Sequence, residues 1–139
     1  MSIKIKKLDP DLPTPCRYRQ HDSGLDLYAR TAVLIEPHTT VVVPTGIAIE
    51  LPIGYEAQVR GRSGLALAGV WCHFGTVDNG YTGEIMVILH NTNGEPFHID
   101  RGDRITQLVV QRVFALPVEV VDELSATERG AAGLGSSGK

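Results

Sequence analysis

The sequence predicts an all-β domain, and three observations predict it. Short apolar pieces recur along the chain, glycine, proline and asparagine punctuate them, and a single stretch has the composition of a helix. Strands at a spacing of roughly 8 to 12 residues with turn residues between them fit a sandwich, barrel or jelly roll rather than βαβ units.

The first strand is expected over 3–8 (IKIKKL), where charge alternates with isoleucine. The next covers 24–29 (GLDLYA), an apolar run interrupted by Asp26. Residues 31–36 (TAVLIE), 39–44 (TTVVVP) and 46–52 (GIAIELP) read as three strands rich in β-branched residues, bounded by Pro and Gly. A further strand covers 55–60 (YEAQVR), and 62–69 (RSGLALAG) is the one short helix, with Ser63 suited to its N-terminal end and Gly69 to its stop. In GTVDNGYTGEI (75–85), Asn79-Gly80 predicts a β-hairpin whose two-residue turn has positive φ at both centres. Strands are then expected at 85–91 (IMVILHN), 95–100 (EPFHID), 104–113 (RITQLVVQRV) and 117–121 (PVEVV).

Composition narrows the function classes. At 139 residues the chain is expected to form one domain, with residues 1–128 as its body. No apolar run approaches the roughly 20 residues that cross a bilayer, so no membrane role is expected. The start, MSIKIKKLDPDLP, lacks the apolar core of a secretory signal, which points to a cytoplasmic address. Cys16 and Cys72 form no C-x-x-C pair, and the five histidines show no ligand spacing, so any metal should arrive with a ligand. A net charge of -3 argues against binding long nucleic acid, which needs a basic footprint. A small anion held by a few local donors is compatible with it.

The last eleven residues, RGAAGLGSSGK (129–139), are too small and glycine-rich to offset their ordering entropy alone. Gly133 to Lys139 matches the pattern G-x-x-x-x-G-K. A phosphate loop of that kind follows a strand, opens a helix and has Ser or Thr next, so a P-loop NTPase is not expected from this segment. Its backbone N–H groups and the hydroxyls of Ser136 and Ser137 can still nest an anion, which would order the segment.

Four further segments carry more polar chemistry than a fold requires. Asp26 is compatible with the exposed face of an edge strand. Arg62 and Ser63 stand at the helix start, where free N–H groups, the dipole and a guanidinium fork suit an anion, although plain capping explains them too. Gln107 sits in a strongly apolar strand and needs a partner, structural or ligand. Asp78 has the ordinary reading of a turn aspartate.

Taken in order, SGLDLYA, GRSGLA, GTVDNGYTGEI, RGDRITQ and RGAAGLGSSGK resemble the five motifs of the trimeric dUTPase family, which hydrolyses dUTP to dUMP and pyrophosphate. The resemblance implies a distorted β jelly roll, or β-clip, with one short helix, assembled as a homotrimer in which all three subunits build each shared active site. It implies that Asp78 is the base that orders and deprotonates the attacking water and bonds the 3'-hydroxyl. Tyr81 would lie under the sugar and exclude a 2'-hydroxyl. The backbone of Gly75, Thr76 and Val77, up to Tyr81, would pair with uracil and exclude the methyl of thymine. Arg62, Ser63 and Gly64 would hold phosphate oxygens, Gln107 would add a contact on that side, and Asp26 would reach Mg2+, the implied cofactor, through water. In the closing segment Arg129 would neutralise charge on the leaving pyrophosphate, while Gly135, Ser136 and Ser137 close over the phosphates.

The chain departs from the family pattern in places. Leu134 stands where an aromatic usually stacks on uracil, replacing stacking with apolar contact. Ala132 replaces a frequent glycine, Cys72 a frequent asparagine, and the link from RSGL to GTVD is about three residues shorter. Two other readings fit parts of the sequence: a dCTP deaminase on a similar fold, and a jelly-roll module without catalysis. The deaminase needs a glutamate where this chain has Ile88, and the module leaves the order of the five polar segments unexplained.

Overall fold

Alternation of buried and exposed side chains along the strands builds a core between two sheets. The computed structural model describes residues 1–138. Among them the strands are β1 (Lys4–Lys7), β2 (Gly24–Tyr28), β3 (Val33–Ile35), β4 (Thr40–Glu50), β5 (Tyr55–Gly61), β6 (Val70–Cys72), β7 (Gly75–Val77), β8 (Glu84–Asn91), β9 (Phe97–Ile99) and β10 (Arg104–Arg112), with helix α1 (Ser63–Leu67) between β5 and β6. One sheet has the order β1-β4-β8-β6, the second β2-β10-β5-β7, and β3 pairs with β9. All pairings are antiparallel. This is the expected all-β jelly-roll architecture with one short helix.

In β8, Ile85, Val87 and Leu89 point inward while Met86 and Ile88 point out; in β2, Leu25 and Leu27 are buried while Asp26 takes the other face. The two inner faces meet in a single apolar cluster that includes Leu27 of β2, Val43 and Ile47 of β4, Val59 of β5, Leu89 of β8 and Leu108 of β10. Burying each such side chain contributes about 1.5–3 kcal/mol, so the core outweighs any single surface contact.

Several expectations are corrected. Residues 39–44 and 46–52 form one strand, β4, because Gly46, at φ 72°, lets the chain bulge between Pro44 and Ala48 without leaving the sheet. Strand β6 went unforeseen, being three residues long and defined by its partner β8 rather than by composition, while β7, the strand before the 78–81 turn, forms but pairs with β5. The strand expected at 117–121 does not form: Val118 and Val120 are exposed, and among the described residues no ladder partner faces them.

The 75–85 segment is not a hairpin. β7 belongs to one sheet and β8 to the other, so the segment crosses between sheets. The turn closes with Tyr81 N donating to the Asp78 carbonyl at 3.1 Å. Gly80 has φ 93°, whereas Asn79 is not among the residues with positive φ, which is the type II pattern. That turn does not match the twist of two strands in one ribbon, and it releases the chain towards the facing sheet. Ser63 is the first helical residue rather than the cap; Arg62 takes the cap position in extended conformation, with no side-chain capping bond. Gly69, at φ 81°, ends the helical segment as expected.

Candidate functional site

The 78–83 turn borders a cleft of about 230 Å³ lined by Val59, Gly75–Val77, Asp78, Tyr81 and Glu84–Met86. β7 is the last strand of its sheet, so one side of its backbone is left without a ladder partner. Such a backbone edge suits a planar, hydrogen-bonding ring. Asp78 is exposed at the tip.

Tyr81 is seated by two contacts. Its hydroxyl donates to the Glu84 carbonyl at 2.9 Å, and its ring lies on Gly83, where an added Cβ would meet the hydroxyl oxygen at 2.6 Å and Cζ at 2.7 Å. The two glycines flanking Tyr81 thus act differently: Gly80 supplies positive φ and Gly83 supplies space. Glu84 is itself held, accepting from Gly46 N at 2.9 Å and from Arg30 Nη1 at 3.1 Å.

A second constellation lies on the outer face of the β2-β10-β5-β7 sheet. The register places Gln107 between Asp26 on β2 and Arg60 on β5. Gln107 Nε2 donates to the Gly61 carbonyl at 2.9 Å, which answers part of its need for a partner. Its side chain crosses over Gly24, where a Cβ would lie 2.3 Å from Oε1. Asp26 faces Arg62 Nε at 3.8 Å and Arg104 Nη1 at 3.6 Å, ion pairs too long to be hydrogen bonds. Its oxygens therefore keep lone pairs for other donors. Arg62 is steadied by donating to the Arg104 carbonyl at 2.7 Å, and the Arg104 guanidinium lies over the Tyr18 ring at 5.8 Å. Arg104 and Tyr18 escaped the sequence reading; the place of Arg104 inside RGDRITQ was the available signal.

Among the described residues no three His, Cys, Asp or Glu side chains converge as a metal cage. A carboxylate that makes no close bond to its two neighbouring arginines can accept from the water shell of a hard cation such as Mg2+, which keeps several waters and is shared with phosphate oxygens.

The two constellations do not meet within one chain. Val77 pairs with Ala57, so Asp78 lies level with Glu56, while Arg62 follows the far end of β5. Six residues at about 3.3 Å each separate them by roughly 20 Å. The glycine-rich segment joins neither. Beyond the bond from Val113 N to the Gly54 carbonyl at 2.9 Å, the described hydrogen bonds of the tail are local, such as Arg129 Nε to the Ala132 carbonyl at 2.8 Å and Ser136 N to the Gly133 carbonyl at 2.8 Å. Arg129, Leu134, Gly135, Ser136 and Ser137 are exposed, and Lys139 lies outside the described residues. No described helix is long and apolar enough to cross a membrane.

Comparison with known proteins gives a consistent result. The dUTPase family profile matches residues 11–138. The chain is 48% identical to the deoxyuridine 5'-triphosphate nucleotidohydrolase of Gloeothece citriformis (strain PCC 7424), the match covering 99% of this chain and 97% of that protein. It is 45% identical to the protein of the same name from Picosynechococcus sp., covering 99% of both. Its fold is similar to that of the Staphylococcus bacteriophage 80alpha dUTPase with dUPNHPP, with a TM-score of 0.94, 26% identity and 99% coverage of both chains. A dUTPase variant from phage phi11 of S. aureus, described for its coordination of a structural Mg(II) ion, matches with a TM-score of 0.85 at 22% identity, over 91% of this chain and 100% of that one, a likeness of fold alone.

Proposed function

The chain belongs to the dUTPase family, and from that premise we propose how its residues divide the hydrolysis of dUTP to dUMP and pyrophosphate. The reading is supported above all by the roughly 20 Å between Asp78 and Arg62, worked from strand register. A base that far from its anion clamp serves no substrate within one chain. Copies placed so that one chain's turn faces another's clamp make a complete site. The arm fits this arrangement: the seventeen residues from Val113 to Arg129, fully extended, can span roughly 55 Å. We therefore read the active unit as a homotrimer with shared sites, residues 1–128 forming the body and 129–139 the lid.

The cleft beside β7 receives the base and sugar. Its 230 Å³ falls below the roughly 300–1,000 Å³ of sites that enclose a whole small molecule, so the triphosphate extends out of it. The backbone of Gly75, Thr76 and Val77 pairs with uracil, and the Tyr81 ring under the sugar leaves no room for a 2'-hydroxyl. Asp78 orients a water and takes its proton as the oxygen bonds to the α-phosphorus and the bridge to the β-phosphate breaks. The proton then returns to solvent.

Arg62, Ser63, Gly64 and Gln107 hold the phosphate chain of a substrate whose base sits on a neighbouring copy. Asp26 would hold Mg2+ through water, and the ion, when bound, would neutralise phosphate charge. Arg129, Ser136 and Ser137 close with Gly135 over the phosphates while Leu134 covers uracil, excluding all water but the nucleophile. Because attack at phosphorus depends mainly on positioning and electrostatics, one ordinary carboxylate suffices, its proton transfer contributing about 10²- to 10⁴-fold.

The test is pyrophosphate release from dUTP by purified protein with Mg2+, compared with Asp78→Asn. We expect turnover to fall by about 10²-fold or more, with binding of a non-hydrolysable deoxyuridine analogue kept. Unchanged turnover would remove Asp78 as the base.

A further inference from the structure

We propose that Asn79 is a positioning residue for the base, stapling the tip that carries Asp78 to the turn between β4 and β5. The inference rests on the reading of Asp78 as base. The Asn79 side chain leaves the tip and meets three main-chain oxygens of that turn: Nδ2 lies 2.7 Å from the Pro52 carbonyl, 3.2 Å from that of Tyr55 and 3.4 Å from that of Leu51. Only a donor fits among three acceptors, which also fixes the orientation of the amide. A carboxylate there would face oxygens on every side, and a shorter side chain would not reach.

The turn that receives the amide has its own frame. Tyr55 N donates to the Pro52 carbonyl at 3.2 Å, and Gly54 has φ 84°. The Gly54 carbonyl accepts from Val113 N, the first residue after β10 and the root of the arm. A cleft of about 330 Å³ is bordered by Ile53, Gly54, Tyr55, Asp78, Asn79 and Val113. One five-residue turn thus touches both the base-bearing tip and the base of the lid.

The tip has few other restraints. Asp78, Asn79 and Gly80 are exposed, and the one described backbone bond within the tip is that from Tyr81 N to the Asp78 carbonyl. Asp78 is bonded directly to Asn79, so a tip released at Asn79 loses the restraint nearest to the Asp78 carboxylate. A misplacement of about 1 Å can cost around 10²-fold in rate, while the uracil-pairing strand β7, held by β5, stays in place. The loss should therefore fall on the chemical step.

Asn79→Ala and Asn79→Asp test this, assayed for kcat and KM on dUTP and for thermal unfolding, with Asp78→Asn in parallel. We expect kcat to fall by about 10- to 100-fold in Asn79→Ala and further in Asn79→Asp, with KM within about twofold and Tm lower by only a few degrees, the fold staying intact at the assay temperature. If both variants keep the parental kcat, or if kcat falls only in step with Tm, the positioning role is overturned. If Asp78→Asn itself keeps full turnover, the base assignment fails instead, and the two failures are distinguishable.

Discussion

Replacing Gly83 by alanine tests whether sugar selection depends on where the Tyr81 ring is seated. The new methyl would lie 2.6 Å from the Tyr81 hydroxyl oxygen, 2.7 Å from Cζ and 3.0 Å from Cε2. Non-bonded contact needs about 3.5–4.0 Å, so the ring has to withdraw by about 1 Å. The obstacle is the far end of a side chain and Gly83 does not have positive φ, so the backbone accepts alanine. The thermodynamic cost is the bond to the Glu84 carbonyl, about 0.5–1.5 kcal/mol, or a few degrees in Tm for a domain of this size. The effect on chemistry is larger: a 1 Å displacement is worth up to about 10²-fold, and the surface moved is the one we propose rejects a ribose. We expect kcat/KM for dUTP to fall by 10-fold or more, and the preference for dUTP over UTP to narrow by a similar factor. Pyrophosphate release measured with each nucleotide gives both numbers. Tyr81→Phe, which keeps the ring and loses only the hydroxyl, should retain most of the discrimination. An unchanged dUTP-to-UTP ratio in Gly83→Ala would refute the seating of Tyr81 as the origin of sugar selection.

Gly24→Ala should be harsher on the fold, because its Cβ would lie 2.9 Å from Gln107 Cβ, which is fixed to the β10 backbone and cannot swing away. Thermal unfolding should show a loss of about 1–3 kcal/mol, and phosphate-side contacts should weaken with it. Thr106→Val should stabilise the protein by about 1–2 kcal/mol, since Thr106 is fully buried and its hydroxyl is an orphan among the described residues; a lower Tm would reveal a hidden partner. Hydrogen bonding from Arg101 holds the Asp9 carboxyl down at about 2, with Arg30 adding charge. A depressed folded-state pKa means stability that is present above the ordinary value of 3.8 and is lost as pH falls from there to about 2. Urea midpoints should drop across that interval, and the drop should be smaller in Arg101→Gln.

Local patterns were enough for most of the strands. Alternation in GLDLY and EIMVILHN states which residues face inward, because a strand side chain can point only to one face or the other. The five polar segments were legible for a similar reason: an aspartate in an apolar strand or an arginine before a helix stands out against what the fold alone needs. Leu134 and Cys72 were legible as departures, since they depend on identity rather than on position.

Pairing lay beyond the sequence, because a ladder joins residues distant along the chain. Nothing local in GTVDNGYTGEI says that Val77 pairs with Ala57 and Glu84 with Ala48, on different sheets, and so that a turn resembling a hairpin is a crossover. Nor does PVEVV announce that, among the described residues, no strand pairs with it. Close approach was equally hidden: Gly24 and Gly83 are needed for the side chains of Gln107 and Tyr81 that cross them, and only folding brings those atoms together. Composition and alternation dictated which surfaces are buried, through the hydrophobic effect. Register, a property of partners, decided that Asp78 and Arg62, the proposed base and anion clamp, stand apart on one chain.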